Sequence, residues 1–156
     1  MSAATLGWAY RATVVVHIAA VVVWFGAVAY YLFILRPAFR NSGVERHVQY
    51  QLIAAIRARL VRVVGVAVAM LVASGLALAH FRGYIGGDLP VDPVRARLFR
   101  VKLGVAAVLV MVFLTALPLL RRVRKPKVRG RLFITVHIVV LVLGTVAATI
   151  GVILSR

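Results

Sequence analysis

Four stretches of this chain are long and apolar enough to decide its architecture before any motif is read. They run Ala12–Leu35, Val63–Phe81, Leu98–Leu120 and Leu132–Leu154. Each approaches or exceeds the ~20 residues that a helix needs to cross a hydrocarbon layer of ~30 Å. Only helices or closed barrels satisfy every backbone polar group in lipid, and runs of this length read as helices. The expected fold is an all-α integral membrane protein, an antiparallel four-helix bundle forming a single domain over residues 1–156, with spans at about 12–35, 61–81, 98–120 and 131–154. The spans consume most of the chain, so chemistry has to occur inside the bundle or at its rims. A hydrophobic content of 63% and a mean hydropathy of +1.02 agree with this, since soluble domains are about 45–50% apolar.

The first run carries an Ala27-Val28-Ala29 triplet of the kind a signal peptidase cuts. Its apolar stretch exceeds a signal core, so it reads as a retained span. The absence of cysteine excludes disulfides, thiolate metal sites and covalent c-type heme attachment.

A net charge of +17 would suggest nucleic acid in a soluble protein. Here the basic residues fall into a topology pattern instead, and no nucleic-acid partner is expected. Arg36, Arg40, Arg46, Arg57, Arg59 and Arg62 surround the first connection, and seven more lie between Arg121 and Arg131, together thirteen of the 20. The positive-inside rule places those two connections in the cytoplasm, and both termini and the Arg82–Arg97 loop outside. The membrane is expected to be a bacterial inner membrane, with anionic lipid gathered at the basic loops.

Pro37 is expected to end the first helix near Arg36. The alternation of Leu52, Ile53, Ile56 and Leu60 with Gln49, Gln51, Arg57 and Arg59 suggests that the second helix begins in the interface. The loop 83–93, with Gly86-Gly87-Asp88 followed by two prolines, and Lys125-Pro126 to Gly130, read as turns. Small residues predict the helix contacts: Gly144 and Gly151 below His137 in the last span, and Gly65, Ala69, Ala73 and Gly75 in the second.

Histidines carry the functional reading, because a polar ring at membrane depth is costly and marks a ligand or a proton path by default. His17 lies six residues inside the first run, ~9 Å deep at 1.5 Å per residue. His80 closes the second run on the same outer side, near Lys102 at the start of the third. His137 belongs to the opposite leaflet. Heme b fits the outer level: His17 and His80 as axial ligands, Arg82, Arg97, Arg100 and Lys102 neutralising the propionates, and Trp24 stacking on the macrocycle from the His17 face. For His80 the competing reading is an interfacial residue at a helix end; for Lys102 it is snorkelling to water. His137 is a candidate ligand of a second metal or heme site, a proton relay, or a helix-to-helix hydrogen bond. Copper is the alternative metal for His17, His80 and His137, with Met70 and Met111 as the available thioethers, although both also suit core filling. The acids Glu45, Asp88 and Asp92 all lie in loops, so no paired-carboxylate site forms inside the bundle.

Three segments carry a family likeness. HIAAVVVWFGAVAYYLFILRPAF (His17–Phe39), with its His-x6-Trp-x-Gly and later Arg-Pro-Ala, resembles the opening helix of the CopD-like superfamily of copper-resistance membrane proteins. RARLVRVVGVAVAMLVASGLAL (Arg57–Leu78) resembles its second helix, with Ser-Gly, and RARLFRVKLGVAAVLV (Arg95–Val110) resembles its Lys-Leu opening of the next. The superfamily includes HemJ-type protoporphyrinogen oxidases, which are associated with heme. The resemblance implies a functional role for His17 and for Lys102. This chain departs from the HemJ pattern in having no histidine after Lys102-Leu103 in the third run, and it has no methionine-rich outer segment. Three functions follow as expectations: a heme-b redox protein exchanging electrons with a quinone or a larger membrane complex, a copper transport or resistance protein, and a non-catalytic subunit of such a complex.

Overall fold

The computed structural model describes residues 3–86, 92–122 and 126–155. All regular structure among them is helical: α1 (Ala3–Ala29), a π-helical turn (Tyr30–Leu35), α2 (Arg36–Asn41), α3 (Arg46–Phe81), α4 (Pro93–Arg122) and α5 (Pro126–Ser155). Four helical stretches of the described residues are long and apolar enough to cross a membrane, Ala4–Phe39, His47–Phe81, Pro93–Ala116 and Arg131–Leu154, and they contain or closely match the four expected spans. Large apolar side chains face outward, Phe33 at 70% and Leu114 at 61% exposure among them. Water would penalise such a surface and lipid would not, so the helices are compatible with an integral membrane protein.

Hydroxyls inside these helices obey the same constraint. Thr13, Thr115, Thr145 and Thr149 each donate to the carbonyl four residues back, at 2.7–2.9 Å, which leaves no hydroxyl proton for lipid to satisfy.

The chain divides into two compact units, Met1–Leu89 and Pro90–Arg156. In the first, α1 packs on α3. Tyr10 meets Phe81 and Arg82, while His17, two turns further along α1, meets Ser74, two turns back along α3. This contact order is that of an antiparallel pair. The inward stripe of α1 is Ala20, Trp24 and Val28, at the three- and four-residue spacing of one helix face. Ala67 and Ser74 form the matching buried positions of α3. The small-residue stripe expected on this helix differs: Ala69 and Ala73 are exposed, because 100° per residue turns them away from Ser74.

The first helix does not end at Pro37. A widened turn absorbs the proline: the Arg36 N–H bonds to the Tyr31 carbonyl, five residues back, and the helix then resumes through Pro37 to Asn41. Proline lacks the N–H that an α-turn would require and its ring crowds the carbonyl four residues back, so a local change of register ahead of it relieves both problems. The Gln49 side chain ties the following connection, donating to the carbonyls of Phe39 (2.9 Å) and Val44 (3.0 Å).

α3 closes in a Schellman turn. Gly83, at φ +73°, bonds to the His80 carbonyl and Tyr84 to the Ala79 carbonyl, a geometry that glycine adopts without steric cost. In the second unit Asp92 caps α4, its Oδ1 accepting from Val94 at 3.3 Å. Pro126 is already the first residue of α5, where a missing N–H costs nothing, so the expected turn through Gly130 is helical instead. Lys125, Gly87 and Asp88, the other expected turn residues, lie outside the described residues.

Candidate functional site

The most developed polar contact within the apolar helices is at His17. α1 presents its imidazole on the inward stripe, one turn above Ala20, and α3 meets it with Ser74. His17 Nδ1 lies 2.8 Å from Ser74 Oγ, and Ser74 Oγ donates in turn to the Met70 carbonyl of its own helix. Ser74 is buried and the His17 ring half-buried. Gly75 adjoins the ring: a Cβ there would sit 3.5 Å from His17 Cε1, so the hydrogen side chain leaves the imidazole its place. Trp24 lies two turns further along the same face, buried, with Phe25 edge-on at 5.7 Å.

At the Tyr10 end of this unit Arg82 donates to the Tyr10 hydroxyl through Nε (3.2 Å) and Nη2 (2.7 Å). Tyr10 also packs edge-on against Phe81 at 6.1 Å. His80 is exposed, and its Nδ1 bonds to the Ile85 carbonyl at 3.2 Å. A carbonyl only accepts, so the ring donates its Nδ1–H and the lone pair resides on Nε2. His17 and His80 therefore occupy one unit but engage different partners, Ser74 across the pair and Ile85 in the loop.

The remaining candidates belong to the second unit. Arg97 and Arg100 are exposed near the start of α4. Lys102 is half-buried, and its Nζ comes within 3.0 Å of where a Gly151 Cβ would stand, so the glycine stripe expected on the last span does face α4. His137 bonds through Nδ1 to the Phe133 carbonyl at 2.8 Å, one turn back in its own helix, and lies against the Phe133 ring with centroids 4.0 Å apart. It too is a donor at Nδ1. His47, in the first turn of α3, pairs with Glu45 at 3.1 Å on an exposed surface. Met70 and Met111 are exposed. Among the described residues no three histidine or carboxylate side chains cluster.

No family model, curated protein or solved structure matches this chain. The geometry therefore carries the functional argument.

Two residues of this geometry escaped the sequence reading. Tyr10 lies just ahead of the first apolar run, where no spacing marks it. Ser74 was read only as part of a Ser-Gly likeness, although a usable signal existed: it is the lone hydroxyl in the run Val63–Phe81, and it lies eight residues from Arg82, much as His17 lies six from Arg11. In adjacent helices of opposite direction, equal depth makes the two natural partners.

Proposed function

We propose that this chain is a small integral-membrane heme-b protein that transfers electrons, with His17 as an axial ligand. One observation carries the reading: a half-buried imidazole on the contact stripe of two membrane-type helices, anchored across the pair by Ser74. The donor set fits the group. Heme iron takes a neutral imidazole nitrogen, and a ligating histidine is usually held through its other ring nitrogen by a polar partner, a role the Ser74 contact would suit. A bound heme would supply one-electron chemistry, and the protein's part is to hold, orient and enclose it.

His80 would be the second histidine to hold the group, its Nδ1 already committed to the Ile85 carbonyl. Trp24 offers an aromatic wall and Arg82 is the cation of the same unit for a propionate; Arg97, Arg100 and Lys102 are the candidate cations of the second unit. His137 is the candidate for a second, separate site. The resemblance to the CopD-like superfamily and its HemJ-type members points the same way. In this reading the four spans form an antiparallel bundle in a bacterial inner membrane, with both termini outside and the basic connections facing anionic lipid in the cytoplasm. Electrons pass to or from a quinone or a larger membrane complex.

The test is purification in mild detergent from cells supplied with heme. A Soret band and a pyridine hemochrome of heme b are expected. Stoichiometric copper without heme, lost on His17→Ala, would instead assign copper transport. Neither cofactor, together with a co-purifying large partner, would assign a non-catalytic subunit.

A further inference from the structure

The contact between His17 and Ser74 contains more information than its length. Ser74 Oγ lies in hydrogen-bonding contact with two groups, the Met70 carbonyl and His17 Nδ1, and also 3.4 Å from the Leu71 carbonyl. A serine hydroxyl has one proton to donate. Both neighbouring carbonyls belong to its own helix, and a carbonyl has no proton to offer in return. The serine proton is therefore spent within α3, and the bond to His17 needs a proton from the imidazole. His17 has to be the Nδ1–H tautomer, with its lone pair on Nε2.

That assignment is not the one a histidine adopts unaided, because neutral imidazole in water favours the proton on Nε2. His80 and His137 also carry their proton on Nδ1, but each is held there by a carbonyl one helical turn or one short loop away. For His17 the partner at Nδ1 is a side chain of another helix. The tautomer of His17 is thus coupled to helix pairing, and Ser74 is the atom-level link. Gly75 supports it by leaving room for the ring at Cε1, between the two nitrogens.

We propose that Ser74 is a positioning residue: it holds His17 as the Nδ1–H tautomer and thereby makes Nε2 the nitrogen whose lone pair a ligand would meet. Where that ligand is heme iron, which rests on the function proposed above, Ser74 fixes both the coordinating nitrogen and the ring orientation. It does not touch the iron. Its hydrogen bond also lends electron density to the imidazole, as outer-sphere acceptors do for ligating histidines. Threonine keeps the hydroxyl and can repeat both bonds, whereas alanine removes them without enlarging the side chain.

The experiment is a long-range proton–nitrogen correlation of the histidine rings in the full-length, nitrogen-15-labelled protein, prepared without added heme in detergent at neutral pH. His17→Gln assigns the resonances. The wild type is expected to show His17 with a protonated Nδ1 and a pyridine-type Nε2. Ser74→Ala should move His17 toward the Nε2–H form, and Ser74→Thr should keep it as in the wild type. His80 and His137 should not respond to either change. A wild-type His17 protonated on Nε2, or a tautomer indifferent to Ser74→Ala, would overturn the proposal. A parallel hemin titration separates this from the functional reading. Ser74→Ala should bind about 10-fold more weakly or worse and Ser74→Thr should recover the affinity, as expected for loss of a ligand's hydrogen-bond partner. If the wild type takes no hemin, the heme assignment fails while the ring spectra still decide the role of Ser74.

Discussion

The two units of this chain each hold a histidine inside an apolar helix, yet they hold it in different ways. His137 bonds through Nδ1 to the Phe133 carbonyl of its own helix and lies on the Phe133 ring, so that nitrogen is held by the turn beneath it. His17 bonds to Ser74 on the opposing helix, so its environment exists only when α1 and α3 are paired. A polar group satisfied locally can sit in any membrane helix at modest cost. A polar group satisfied across two helices fixes their register and presents a defined ring edge, which is what a ligand site requires. This difference, more than depth or residue type, singles out His17.

The contrast can be broken most directly at the rings themselves. His17→Ala is expected to abolish heme binding, read as loss of Soret absorbance per protein, while His137→Ala retains most of it. Equal losses would place the two histidines in equivalent roles.

Packing supplies the next largest effect. Trp24→Ala empties a large buried position on the α1 stripe. In water-soluble cores such truncations cost 3–5 kcal/mol. Lipid is as apolar as the side chain lost, so mainly the packing share remains, about 2 kcal/mol. Reversible unfolding in mixed micelles, followed by helical circular dichroism, measures it. Tyr10→Phe should cost less, about 1 kcal/mol, because it removes the acceptor of both Arg82 bonds at that end of the α1–α3 pair. The smallest effect sharpens the comparison from the other unit. Gly151→Ala brings a Cβ to 3.0 Å from Lys102 Nζ, at the tip of a flexible side chain that can move aside, so a loss below about 1 kcal/mol is expected in the same assay. A larger loss would mean that the Lys102 amine is held in place as firmly as His17.

Much of this was legible from composition and spacing. The four membrane-length helices follow from run length alone, since lipid leaves an apolar backbone few other options. His17 stood out because an imidazole in such a run has few benign explanations. The pairing of His17 with Ser74 was legible only as an equal depth from Arg11 and Arg82; that the two side chains meet depends on how α1 and α3 are rotated against each other, which neither run states. A count of small residues pointed to Gly65, Ala69, Ala73 and Gly75; Gly75 does adjoin His17, but Ala69 and Ala73 are exposed and the buried positions include Ala67 and Ser74. Pro37 misled in the other direction. The rule that proline ends a helix is local, and a π-helical turn at Tyr30–Leu35 evades it by changing which carbonyl meets which N–H. Tyr10 with Arg82 is of the same kind, a contact created by antiparallel pairing between residues 72 apart in sequence.

The central claim is that His17, anchored by Ser74, coordinates heme. The measurement that tests it most directly is the oxidised and reduced absorption spectrum of the full-length protein, purified in mild detergent from heme-supplied cells. The account predicts a Soret band that shifts on reduction, with sharpened bands at longer wavelength and a heme b pyridine hemochrome. A featureless visible spectrum in both states, from protein that retains its full helical circular dichroism, would contradict it.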